Sequence, residues 1–258
     1  MNIVGIIPAR LASSRLPKKP MADILGMPMI GHVYLRCKMS PILGEVYVAT
    51  CDQEIYDYII SIGGKAVMTA DTHERASDRT AEALLKIEEK TCKKIDIVVM
   101  IQGDEPMVTP AMINAAIEPL LADASLQITN LMAAMKSLEE HEDPAEVKVV
   151  VDRNSNALYF SREPIPSRKK GAVNIPMLKQ VCIIPFRRDF LIQYNTMEQT
   201  PLEVIESVDM NRLIENGIRV RMVMRAEETY SVDTAADLIN VNDKMQLDPL
   251  LKEYLNKK

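Results

Sequence analysis

Ile3-Val4-Gly5-Ile6-Ile7-Pro8-Ala9-Arg10-Leu11-Ala12-Ser13-Ser14-Arg15-Leu16-Pro17-Lys18-Lys19-Pro20 is the stretch that decides the fold. Its first five residues read as a buried strand, and the strand delivers a loop in which Arg10, Arg15, Lys18 and Lys19 occur with no acid before residue 23. Backbone N–H groups and fixed cations at the carboxyl end of a first strand suit the oxygens of a polyanion. The loop is neither Gly-x-x-x-x-Gly-Lys-Ser/Thr nor Gly-x-Gly-x-x-Gly, so it belongs to neither of those phosphate-binding types. A solvated basic loop has the same composition, and other positions must decide between the two.

The pattern repeats outward from this strand. Short β-branched runs at 45–50, 65–68, 95–101, 128–132, 147–151, 180–185 and 220–225 alternate with amphipathic stretches at 29–39, 52–62, 77–90 and 110–121, the second of them beginning at an Asp52 N-cap. Helices are also expected over 201–216 and 234–244. Alternation of this kind predicts an α/β fold with a mostly parallel central sheet flanked by helices. The rhythm breaks after residue 132. Residues 147–160 read as a β-hairpin, and 164–176 is rich in proline and base, so 136–176 is expected to be a hairpin and arm inserted into a single domain spanning 1–258.

The chain has 258 residues, 47% of them hydrophobic and 26% charged, enough for a full core. A net charge of −5 argues against general nucleic-acid or acidic-membrane binding, which needs a positive field over a wide surface. Cys37, Cys51, Cys92 and Cys182 form no Cys-x-x-Cys pair, so neither a zinc site nor a disulfide framework is indicated. With no cationic leader and no stretch of membrane-spanning length, a cytoplasmic protein is expected.

Two further clusters carry chemistry. Gln102-Gly103-Asp104-Glu105-Pro106 follows the strand at 95–101, placing Asp104 on the sheet edge where open α/β sheets bind ligands. Asp233, in Ser231-Val232-Asp233-Thr234, either supplies a second carboxylate or caps the next helix. Two acids facing a cationic loop suit a hard divalent ion bridging carboxylates to substrate phosphates, and hence Mg²⁺-assisted phosphoryl or nucleotidyl transfer. Thr72-His73-Glu74-Arg75-Ala76-Ser77-Asp78-Arg79 either reads a nucleobase and holds an anion near a helix start or is a polar cap. His32 reads as packed or solvated, and His141 as part of an acidic surface segment.

Taken together, Ile7-Pro8-Ala9-Arg10, Ser14-Arg15-Leu16-Pro17, Lys19-Pro20, Val48-Ala49-Thr50, Gln102-Gly103-Asp104-Glu105-Pro106, Val147-Lys148-Val149-Val150, Ala157-Leu158-Tyr159-Phe160-Ser161-Arg162, Pro201-Leu202-Glu203 and Val232-Asp233-Thr234 resemble the 3-deoxy-manno-octulosonate (Kdo) cytidylyltransferases, or CMP-Kdo synthetases. The resemblance implies a Rossmann-like nucleotidyltransferase fold that transfers CMP from CTP to a sugar acid for lipopolysaccharide or capsule, releasing pyrophosphate. It implies that Pro8, Ala9, Arg10, Ser14, Arg15 and Lys19 line the CTP phosphates, with Arg10, Arg15, Lys19 and Asp104 catalytic. It further implies that His73, Ser77 and Arg79 lie at the nucleotide end, that Asp104 and Asp233 hold Mg²⁺, that Gln102 reaches the acceptor, and that the protein is a homodimer. Arg162, Lys179, Gln180, Glu203 and Glu206 are the remaining acceptor candidates.

The chain departs from this family in three places. Gly-Thr-Glu-Arg becomes Ala76-Ser77-Asp78-Arg79, and Lys18 replaces a usual Gly. The Arg-His-Leu-Gly-Ile-Tyr segment that helps hold Kdo becomes Lys179-Gln180-Val181-Cys182-Ile183-Ile184, so a different acid, such as a nonulosonate or a phosphonate, is the alternative acceptor. Two other classes share the features: a glycosyltransferase of similar architecture, although Asp-x-Asp is absent, and a non-catalytic nucleotide-binding module.

Overall fold

β1 (Ile3–Ala9) is buried at every position. A continuous apolar run cannot keep one face in water, so it sits inside a parallel sheet covered on both sides. After the cationic loop come a 3-10 turn at Lys19–Met21 and a short hairpin of β2 (Asp23–Ile24) and β3 (Met27–Pro28). Next are α1 (Met29–Lys38), β4 (Glu45–Thr50), α2 (Gln53–Ser61), β5 (Ala66–Met68), α3 (Ala76–Thr91), β6 (Ile97–Ile101) and α4 (Pro110–Ala122). β1 pairs in parallel with β4 on one side and β6 on the other, and β4 pairs in parallel with β5. The carboxyl ends of β1 and β6 therefore lie side by side, which brings the cationic loop next to the Asp104 turn.

The computed structural model describes residues 1–13, 15–172 and 174–255. It divides into two compact units, Met1–Asn114 with Thr229–Lys258, and Ala115–Glu228. The second unit contains β7 (Thr129–Ala134), α5 (Leu138–Glu142), β8 (Lys148–Val151), β9 (Ala157–Ser161), β10 (Leu178–Val181), β11 (Ile183–Arg187), α6 (Arg188–Asn195), α7 (Pro201–Glu206), α8 (Met210–Glu215) and β12 (Arg221–Arg225). Its sheet runs β12-β7-β10-β8-β9, parallel at the first pair and antiparallel through the rest. The expected hairpin is β8 and β9. The chain returns to the first unit with α9 (Ala235–Gln246) and α10 (Pro249–Leu255). No helix among the described residues is long and apolar enough to cross a membrane.

Some expected elements are divided. The strand expected over 180–185 is two strands separated at Cys182, and the helix expected over 201–216 breaks at Ser207, whose φ of 52° is left-handed. His141, expected at the surface, is fully buried, with Nε2–H donating to the Ile165 carbonyl. The peptide bond following Ile165 is cis.

His32 is buried on α1, as expected for a packed histidine. Its Nε2 lies 2.8 Å from the Ile24 carbonyl, which can only accept, so Nδ1 is the bare nitrogen and accepts the Tyr254 hydroxyl at 2.7 Å. One turn on, the buried Arg36 pairs with Asp248 and stacks 5.4 Å over the Tyr254 ring. These contacts fasten α10 to α1 and to the β2 strand. Desolvation lowers the His32 pKa, helped by the Arg36 charge and opposed by the Ile24 carbonyl and Asp23. A folded pKa below the unfolded value of about 6.5 makes the unfolded chain bind more protons in acid, so this stability is complete above that pH and drains as pH falls. Urea unfolding at pH 7.5 and 5.5 should show a larger loss for the wild type than for His32→Gln, even though the variant is the less stable protein at pH 7.5.

Candidate active site

Lys19 joins the cationic loop to the Asp104 and Asp233 segments. Its Nζ donates to Asp104 Oδ2 at 2.8 Å and to Asp233 Oδ1 at 2.9 Å, and Arg15 Nη2 reaches the same Asp233 oxygen at 2.9 Å. Burial would pull the lysine pKa down, but the charges and hydrogen bonds of Asp104 and Asp233 outweigh it and leave it above the ordinary value. Lys19 is a fixed cation at any working pH.

Local structure explains the convergence. Asp104 lies in the turn after β6, and a Cβ on Gly103 would come within 3.1 Å of Ile30 Cδ1 and 3.4 Å of the Pro8 carbonyl. A larger residue there would have to push the end of the Ile30 side chain aside by a few tenths of an ångström, so glycine gives this turn its easiest approach to the end of β1. The Val232 N–H donates to the Asp104 carbonyl at 2.9 Å, tying the two aspartate segments together through the backbone. Beneath them, Ile24, Met29, Val232, Val241 and Met245 form a buried cluster against which Leu16 and Met107 pack. Each segment thus sends one apolar side chain into a common floor. Full burial of a residue such as Val232 is worth about 1.5–3 kcal/mol.

The helix after Asp233 is capped by Thr234. Its hydroxyl accepts the Asp237 N–H, and Asp237 Oδ2 accepts the N–H groups of Asp233 and Thr234 in return. The Asp233 carboxylate is therefore not the cap and is left to Lys19 and Arg15. Two carboxylate oxygens lie either side of one ammonium, within two hydrogen-bond lengths of each other. This hard oxygen set fits an ion of the Mg²⁺ type, which takes one or two carboxylates and fills its remaining positions with water and phosphate. Among the described residues no group of three or more His, Cys, Asp or Glu forms a metal cage.

Elsewhere in the loop, Pro8 and Ala9 close β1 and are buried, while Arg10 is exposed. Ser14 lies outside the described residues. Lys18 pairs with Glu54 at 2.7 Å. Asp52 was expected to cap α2, but its side chain instead accepts the Leu11 N–H at 2.7 Å and pins the start of the loop. An acid just past a parallel strand was the same sign that marked Asp104.

Near the nucleotide end expected from sequence, Ser77 is fully buried and His73 pairs with Glu82. Burial would raise the Glu82 carboxyl, but hydrogen bonds from Lys86, the Ala70 N–H and His73 hold it down to about 2. Arg79 Nη1 donates to Thr69 Oγ1 and the Ala70 carbonyl, whereas its buried Nη2 has no hydrogen-bond partner among the described residues. Glu82 and Thr69 carried no sequence signal, because the contacts that tie them to this end, His73 and the Ala70 N–H for Glu82 and Arg79 for Thr69, are made across the turn between β5 and α3. Gln102 is half-buried at the end of β6.

The acceptor candidates of the second unit are engaged with their own surroundings. Arg162 donates to the carbonyls of Glu206, Pro144 and Ala145, and the Glu206 carboxylate takes Tyr159, Ser161 and the Arg162 N–H. Lys179 is buried between Glu140 and Glu146, and Gln180 donates to Asn130 Oδ1 at 2.6 Å. Glu203 is fully buried, with its two oxygens on Arg212 Nε and Nη2 at 2.7 and 2.6 Å. It has no surface to offer an acceptor.

A sequence model described as cytidylyltransferase matches residues 4–225. The chain belongs to the cytidylyltransferase family. It is 42% identical over 255 residues to the 3-deoxy-manno-octulosonate cytidylyltransferase of Geobacter metallireducens, covering 95% of this chain and 98% of that one. The enzyme of the same name from Fusobacterium nucleatum is 40% identical over 241 residues, covering 93% and 96%. Among solved structures, CMP:2-keto-3-deoxy-manno-octonic acid synthetase complexed with CTP superposes with a TM-score of 0.86 at 39% identity, covering 95% and 99%. The Rossmann-like nucleotidyltransferase fold expected from sequence is thus the fold of this chain, and with it comes cytidylyltransferase membership.

Breaking a buried pair leaves one charge without a partner. Glu203→Gln should therefore cost about 3 kcal/mol of unfolding free energy in urea, by analogy with other buried ion pairs. A Glu203 that instead contacted substrate would leave stability nearly unchanged on substitution while raising the acceptor KM.

Proposed function

We propose that this protein is a Mg²⁺-dependent cytidylyltransferase that transfers CMP from CTP to Kdo or a related 3-deoxy sugar acid, releasing pyrophosphate and supplying a CMP-sugar for lipopolysaccharide or capsule. The observation that carries this reading is the meeting of Lys19 and Arg15 with Asp104 and Asp233 in a chain of this family. The relatives named above supply the substrate pair.

Chemistry follows from the placement of these residues. Arg10, Arg15 and Lys19 bind the triphosphate and neutralise charge that grows on the leaving pyrophosphate. Asp104 and Asp233 would hold Mg²⁺, which would supply positive charge beside the α-phosphate and the attacking hydroxyl. The anomeric oxygen of the acceptor attacks the α-phosphorus in line, the bond to the β-phosphate oxygen breaks, and the hydroxyl proton passes to solvent. Positioning and charge neutralisation do most of the work, and no side chain is covalently modified. Asp52 steadies the loop through the Leu11 N–H. The buried Arg79 Nη2 is a donor suited to the carbonyl and ring-nitrogen acceptors of cytosine, and His73 and Ser77 are the other residues assigned to the nucleotide end.

A second reading concerns the acceptor. Gln180 and the buried Ile184 stand where the resembled family has His and Tyr, which favours an acid other than Kdo, such as a nonulosonate or a phosphonate. We further assign the protein to the cytoplasm as a homodimer. Free thiols at Cys37, Cys51 and Cys92 among the described residues support the first assignment. Leu158 on the hairpin, with Val204 and Ile205 on α7, exposed at 56%, 56% and 74%, support the second.

Pyrophosphate release should be measured with four nucleoside triphosphates crossed against Kdo, nonulosonates and phosphonates. Release is expected with CTP, to vanish in EDTA, and to fall by about a thousandfold or more in Asp104→Asn. An undiminished Asp104→Asn enzyme, or no release with any acceptor, would overturn the reading, and the acceptor that works best decides between Kdo and the alternative. In sedimentation the wild type should behave as a dimer and Leu158→Lys should shift it towards monomer.

A further inference from the structure

We infer that Lys19 is a resident counter-ion for the Asp104–Asp233 pair, one that a divalent cation must displace, so that metal and nucleotide enter together. This rests on the reading that the two aspartates hold metal. The ammonium occupies the place between Asp104 Oδ2 and Asp233 Oδ1, the position a hard cation would take. Asp233 Oδ1 is claimed twice, since Arg15 Nη2 reaches it as well. A divalent ion on that oxygen requires both cations to yield.

Bare metal would have to approach a unit positive charge a few ångströms away and strip it of two charge-assisted hydrogen bonds, which weakens its binding. Metal arriving with a triphosphate changes the exchange. Phosphate oxygens receive the Lys19 and Arg15 donors as the carboxylates receive the metal, and every charge keeps an opposite partner throughout. The side chain is free to make this move: it is a flexible stem from the 3-10 turn at Lys19–Met21, with 15% of its surface exposed. Linkage then makes the coupling reciprocal, so metal tightens CTP as much as CTP tightens metal.

The consequence is that removing a phosphate-binding lysine improves the binding of free metal. Mn²⁺, a paramagnetic stand-in for Mg²⁺, is titrated into the intact protein without nucleotide and followed by electron paramagnetic resonance. Lys19→Met and Lys19→Gln should bind Mn²⁺ at least about tenfold more tightly than the wild type, the scale set by one nearby charge. Lys19→Arg should stay near the wild type, and adding Asp104→Asn to Lys19→Met should abolish the gain. In equilibrium dialysis, Mn²⁺ should tighten CTP binding to the wild type more than to Lys19→Met. Neutral variants that keep the native circular dichroism yet bind Mn²⁺ no better than the wild type would overturn the counter-ion role. If Mn²⁺ still promoted CTP binding to the wild type, the aspartates would remain metal ligands and only this inference would fall. No Mn²⁺ binding to any form, with metal-independent CTP binding, would sink both.

Discussion

Bringing two carboxylates together is the constraint around which the first unit is arranged. Asp104 and Asp233 come from turns far apart in the chain, and their repulsion must be met by positive charge or relieved by protonation. Here the charge comes from the loop after β1, through Lys19 and Arg15. Position does not depend on charge alone. Leu16, Met107 and Val232 pack into one apolar cluster, and the Val232 N–H holds the Asp104 carbonyl. The carboxylates are therefore held together by packing and a backbone hydrogen bond as well as by charge, as the proposed exchange of Lys19 for a metal ion requires.

The parts of this arrangement that sequence revealed are those written in local pattern. β1 and β6 are continuous apolar runs, and a parallel strand buried on both faces has that appearance wherever it occurs, so the edge carrying the cationic loop and Asp104 could be placed in advance. Asp233 was ambiguous for a definite reason. Asp and Thr are both good N-caps, and only the Thr234–Asp237 capping box shows which residue takes the cap and which is left over. Asp52 deceived in the opposite direction, since an aspartate before a helix reads as a cap while its oxygen is on Leu11.

What sequence left unseen depends on partners distant in the chain. His141 in an acidic stretch reads as exposed, yet the fold buries it against Ile165. Lys148 sits inside a β-branched run with no local sign of its role, which is to donate to the carbonyls of Asp143, Glu146 and Arg162 at 2.8, 2.9 and 2.5 Å. Glu203 looked like a ligand because it belongs to a recognisable motif, but motif membership does not separate a residue that binds substrate from one that holds the fold. The 201–216 segment reads as one helix because Ser207 is no helix breaker by composition, yet its left-handed φ ends α7 there, and α8 begins afresh at Met210.

Burial separates the two kinds of ion pair in this protein. Lys19, Asp104 and Asp233 keep 15%, 21% and 18% of their side-chain surface in solvent, so water can reach each group as the pair opens and parting costs less than for a fully enclosed pair. Glu203 and Arg212 keep 0% and 4%; parting them would strand charges in a medium that cannot solvate them, and the Arg212 pKa is driven further up by its hydrogen bonds to Glu203. The first pair can serve binding because it can change partners. The second can serve only structure, and its chemistry, though the same carboxylate and cation, is spent on holding α7 against α8.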